Sequence, residues 1–124
     1  MARRVDRTPG VYTEQATAKD MYKYLYSTFD KVNCSLASDI KKSSGIILDQ
    51  TVAIANCQPK NEIEQAYKKI KLVETVAELH VLSARVEVAM ETGLIKFNQM
   101  EFTAEMIEKI SDRILKELGK HDNL

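Results

Sequence analysis

Apolar residues recur every three or four positions through most of this 124-residue chain, the spacing of helices that bury one face. Thr13 has the chemistry of an N-cap, and a first helix is predicted from there to about Val32. Its stripe is Ala18, Met21, Leu25, Phe29 and Val32. After Asn33-Cys34-Ser35, a second helix is predicted from about Leu36 to Cys57, with Leu36, Ile40, Ser43, Ile47, Thr51 and Ile54 on its inner face. Gly45 interrupts it at a cost of about 1 kcal/mol relative to Ala. The glycine implies either a close helix–helix approach or a local bend. Gln58-Pro59-Lys60 breaks the chain, because proline resists helix continuation.

Asn61, with Glu64 three residues on, reads as a variant capping box. It predicts a third helix to about Thr92, stopped by Gly93. This helix carries two apolar stripes. Ile63, Ala66, Ile70, Val73, Ala77, Ala84 and Val88 form one, and Leu72, Val76, Leu79, Val86 and Met90 form the other. A helix apolar over more than half its circumference must bury more than one face. The surplus lies either against another subunit or against both flanking helices of one core. A fourth helix is predicted from about Thr103 to Gly119, with Ile107, Ile110, Ile114 and Leu118 inward.

The expected fold is therefore all-α, an antiparallel up-down-up-down four-helix bundle over residues 13–120. A flexible basic arm at 1–12 and a frayed tail at 121–124 flank it. Only 4 glycines and 2 prolines punctuate the chain, which agrees with a few long elements. At 44% hydrophobic and 29% charged residues, the balance is that of a globular domain able to bury one core. With neither an apolar run behind the N-terminal arginines nor a stretch of about 20 apolar residues, a cytoplasmic protein away from membranes is expected.

Charge redirects the search for function. The 18 basic and 18 acidic residues cancel, whereas nucleic-acid binders usually show a basic excess. Local basic groups still stand out: Arg3, Arg4 and Arg7 in the arm, Lys68, Lys69 and Lys71 with Arg85 on helix three, and Lys109, Arg113 and Lys116 on helix four. Each group alone reads as a solvated face, but repeated around a symmetric oligomer their fields would add. Tyr22, Tyr24 and Tyr26 offer either stacking surfaces for bases or ordinary helix packing.

Catalytic chemistry finds no footing. Neither His80 nor His121 has a glutamate three residues before it, as carboxylate di-metal bundles require. His80, beside Glu78 and Glu87, has no accompanying nucleophile or cleft signal. Cys57 stands at a helix C-terminus, away from the positive dipole end that activates a thiol. Cys34 and Cys57 flank one helix at a separation of about 30 Å, beyond the reach of a disulfide. The glycines at 10, 45, 93 and 119 are too scattered for a phosphate loop. No catalytic residue, metal, cofactor or small-molecule substrate is expected.

One resemblance gives these patches a context. The residues that carry it are Asp49-Gln50-Thr51-Val52-Ala53-Ile54-Ala55-Asn56, Glu64-Gln65-Ala66-Tyr67, Ala77-Glu78-Leu79-His80-Val81-Leu82 and Ala89-Met90-Glu91-Thr92-Gly93-Leu94-Ile95, followed by the amphipathic last helix. Together they resemble a small four-helix-bundle family with two branches. One is the accessory variability determinant of diversity-generating retroelements, and the other comprises proteins encoded in intervening sequences of bacterial ribosomal-RNA genes. The resemblance implies a ring-shaped homopentamer. For the first branch it implies a non-enzymatic scaffold that binds the reverse transcriptase and its template RNA during mutagenic cDNA synthesis. For the second it implies a structural or protein-interaction module without a nucleic-acid role. Members of the first branch are typically basic and often carry Gly-Trp near the end of the last helix. This chain is neutral and reads Leu118-Gly119-Lys120 there.

Overall fold

The computed structural model describes residues 11–122, with side chains from Glu14 to Lys120. Four helices and no strand make up the described residues: α1 (Val11–Thr28), α2 (Ser35–Ala55), α3 (Glu62–Glu91) and α4 (Phe97–Asp122). Each helix packs against two others, α1 on α2 and α4, and α3 on α2 and α4. Four helices thus close around one core.

The inner stripes are the ones that the periodicity predicts. Ala18, Met21 and Leu25 of α1 and Phe29 just after it are fully buried, as are Ile40 and Ile47 of α2 and Ile110 and Ile114 of α4. From α3 the core takes Leu72, Leu79, Leu82, Val86 and Ala89. Buried threonine hydroxyls among them are satisfied within their own helices. Thr51 donates to the Leu48 carbonyl at 2.8 Å, Thr75 to Lys71 at 2.7 Å and Thr103 to Gln99 at 3.0 Å. These bonds let polar side chains sit in the interior without an orphaned group.

Helix ends differ from expectation where backbone hydrogen bonding, not side-chain pattern, decides them. α1 stops at Thr28 because Asp30 and Val32 bond three residues back, to Ser27 and Phe29, and the chain tightens into a turn. Phe29 nevertheless remains buried. α4 starts at Phe97, six residues before Thr103. The Lys96 backbone N–H donates to the Gln99 side-chain oxygen at 2.8 Å, which closes one half of a capping box without Ser, Thr, Asp or Asn at the cap. α1 begins two residues inside the expected arm, and α4 runs two residues into the expected tail.

Both ends of α3 follow the sequence signals. The Glu64 N–H donates to Asn61 Oδ1 at 2.9 Å, and the Lys60 N–H donates to Glu64 Oε1 at 2.8 Å. At the other end Gly93 adopts φ 84°, Leu94 N–H donates to the Ala89 carbonyl at 2.8 Å and Gly93 N–H to that of Met90 at 3.1 Å. This is a Schellman stop, in which glycine takes the left-handed position. Gly45, by contrast, leaves α2 unbroken. A Cβ there would meet Tyr22 Cε1 of α1 at 3.4 Å, so the glycine faces α1 with room for an ordinary contact. Cys34 and Cys57 are free thiols.

Candidate interaction surface

The two stripes of α3 part company in the structure. Leu72, Leu79 and Val86 go into the core, with Val76 and Met90 half-buried. The other stripe faces outward: Ile63 is 82% exposed, Ile70 54% and Val73 51%, with Ala66, Ala77, Ala84 and Val88 also exposed. Tyr67 and Val81, which the stripe reading omitted, widen this face. The flanking helices therefore do not cover it. Ala66, Lys69, Ile70, Val73 and Glu74 line a shallow hollow of about 350 Å³ on it. Burying an exposed Ile or Val gains on the order of 1 kcal/mol or more, so an uncovered row of this length is a strong incentive to associate.

The basic residues fall into separate places. Lys109, Arg113 and Lys116 lie one turn apart on α4 and line, with Thr17 and Asp112, a surface hollow of about 400 Å³ beside α1. Lys68 turns toward the same side, but its side chain is mostly buried and its Nζ lies 3.8 Å from Glu117. Lys71 Nζ lies 3.5 Å from Glu74 Oε1 and 5.4 Å from the centre of the Tyr67 ring. Lys69 borders the apolar hollow of α3. Arg85 stands apart, in a mixed-charge hollow of about 370 Å³ shared with Asp39, Lys42, Ser43 and Glu78. There the Ser43 hydroxyl donates to the Glu78 carboxylate and joins α2 to α3. Arg3, Arg4 and Arg7 lie outside the described residues.

Where α1 starts, the structure contains a buried acid that no sequence pattern marks. Glu14 is only 4% exposed. Burial raises its carboxyl to about 7, and the neighbouring charge of Glu117 adds to the rise against the opposing pull of Arg113, Lys68 and Lys120. An acidic residue in a first helical turn ordinarily reads as a partner of the helix dipole. Its burial follows from how α1 lies against α4, which no local pattern encodes.

The tyrosines serve packing. Tyr24 meets Phe102 edge-on at 4.7 Å between ring centroids, and Tyr22 lies against Tyr26 at 4.5 Å. Lys41 Nζ sits 5.5 Å above the Tyr26 ring, a cation–π contact between α1 and α2. His80 is exposed on α3. Among the described residues there is no group of three or more His, Cys, Asp or Glu able to hold a metal ion, and no helix long and apolar enough to cross a membrane.

Two surfaces thus stand out: a long apolar face on α3 and a basic ladder on α4. Comparison with protein-family models, with curated proteins and with solved structures finds no match for the chain.

Proposed function

We propose that the protein is a non-catalytic cytoplasmic scaffold that assembles through α3 and holds a reverse transcriptase and structured RNA on its basic surfaces. The observation that carries this reading is the uncovered α3 stripe, in which Ile63, Ile70 and Val73 are each more than half exposed. The assembly is a ring-shaped homopentamer, and the reverse-transcriptase and RNA partners are those of a diversity-generating retroelement, as the resemblance to accessory variability determinants implies. Within each subunit the helices run up-down-up-down. Lys41 over Tyr26 and Gly45 beside Tyr22 support that order, since the contact moves back along α1 as it moves forward along α2, and Lys68 with Glu117 pairs an early residue of α3 with a late one of α4. In a ring, the Lys109, Arg113 and Lys116 ladder would be repeated once per subunit, so the assembly would present a field its neutral subunit lacks.

Light scattering at micromolar concentration tests the assembly, and a compact monomer would remove it. Co-purification with a reverse transcriptase and its template RNA tests the partners. Replacing Lys109, Arg113 and Lys116 together by Glu should abolish their capture while leaving the oligomer intact; unchanged capture would remove the ladder from the proposal.

A second reading, an interaction module of the intervening-sequence type without nucleic acid, draws support from the zero net charge and from the engagement of Lys68 and Lys71 with glutamates of their own chain. A reverse-transcriptase gene beside this one favours the first reading, and an insertion in a ribosomal-RNA gene favours the second.

A further inference from the structure

The exposed side of α3 has a finer order than a stripe. Ile63, Ala66, Ile70, Val73 and Ala77 alternate spacings of three and four, and His80 and Ala84 continue the series. All seven are exposed. This is a heptad repeat, with Ile63, Ile70, Ala77 and Ala84 at one seam position and Ala66, Val73 and His80 at the other. A row of this kind on the outside of a folded bundle has the spacing by which two helices interlock in a coiled coil.

Charges beside the seam choose the orientation. Lys69 and Glu74 flank it on opposite sides. In a parallel coiled coil, the residue before one seam position faces the residue five further along the neighbouring helix. Lys69 is then opposite Glu74 of the other copy. The remaining flanking pairs, Glu62 with Tyr67, Val76 with Val81 and Ser83 with Val88, bring no like charges together. An antiparallel pairing that overlaps the same residues would instead set Glu74 against its own counterpart. A slip of one heptad would put His80 against Val73, so the polar residue also favours the matched register.

We infer that α3 packs beside α3 of a second copy, parallel and in register, with Ile63, Ala66, Ile70, Val73 and Ala77 as the seam and Lys69 opposite Glu74 of that copy. The inference rests on the assembly proposed above and specifies its geometry. Parallel neighbours are related by rotation about an axis along the helices, so the same contact can recur around a closed ring. An antiparallel pair would close as a dimer at this surface and leave nothing of the seam for a third subunit.

Single cysteines test the geometry. With Cys34 and Cys57 both replaced by Ser, Ala66→Cys and Ala77→Cys are made separately. These sites lie about 17 Å apart along the helix by its rise per residue, and they face each other in the antiparallel pairing that sets Glu74 against its own counterpart. A disulfide needs Cα atoms within about 7 Å. Each variant alone should give disulfide-linked dimers under mild oxidation, up to the four subunits in five that can pair within a pentamer, while Glu108→Cys on exposed α4 stays unlinked. Linking only when the Ala66→Cys and Ala77→Cys proteins are mixed would mean antiparallel helices and overturn the inference. So would an intact oligomer with no linking in either case; both results leave the assembly itself standing. A monomer by light scattering would end the assembly and the seam together.

Discussion

The ammonium of Lys68 lies 3.8 Å from a carboxylate oxygen of Glu117, so an early turn of α3 is tied to a late turn of α4. Lys120 reaches the same carboxylate at 3.9 Å from the next turn. Glu14 of α1 is buried within the field of all three. Two carboxylates and several cations thus share one end of the bundle, and the stability of that end depends on their proton count.

That dependence has a definite direction. Below about pH 4.5, the ordinary value for Glu14, its carboxyl is protonated in folded and unfolded chains alike. As pH rises toward about 7, the unfolded chain releases the proton while the folded one keeps it, so stability falls and the loss is complete above that value. Glu14→Gln should flatten this fall. Urea denaturation of both proteins at several pH values reads the difference; parallel curves would contradict it.

Removing the ammonium from the same corner should act mostly on the alkaline side. Lys68→Met keeps the apolar stem and leaves Glu14 and Glu117 with less opposing charge. A destabilisation of about 1 kcal/mol is expected, larger above pH 7 than below it. Lys68→Arg should lose much less, which chemical denaturation can resolve.

The caps of α3 give two further expectations. Asn61→Ala removes the acceptor of the Glu64 N–H and should cost about 1 kcal/mol. Gly93→Ala meets no steric obstacle, yet φ 84° disfavours any L side chain, so a loss of about 1 kcal/mol is expected there as well. Thermal melts followed by circular dichroism would register both.

Gly45→Ala should behave in the opposite way. An added Cβ would touch Tyr22 Cε1 at 3.4 Å, an ordinary contact, while the helix gains the better propensity of alanine. Stability should rise by up to about 1 kcal/mol. A fall would mean that the α1–α2 approach has no room to give.

The core was legible because each helix repeats its apolar residues at a fixed interval, and Met21, Ile40, Leu79 and Ile110 occupy those positions. The start of α4 was not. Lys96 has no capping side chain, and only the return of Gln99 to its N–H closes the first turn. The sequence showed that α3 is apolar over more than half its circumference. It left open which stripe goes inside, because that choice is made by the neighbours α2 and α4. Glu14 was invisible as a buried group for a similar reason: its surroundings come from residues roughly a hundred positions away.

With its first turn closed by Asn61 and Glu64 and its last by Gly93, α3 is finished by its own chain at both ends. A neighbour arriving at the outer stripe meets a rod already shaped, and contact there forfeits side-chain freedom but little backbone freedom. The proposed assembly would therefore be quick and reversible, governed by how well the rows interlock and not by any folding step.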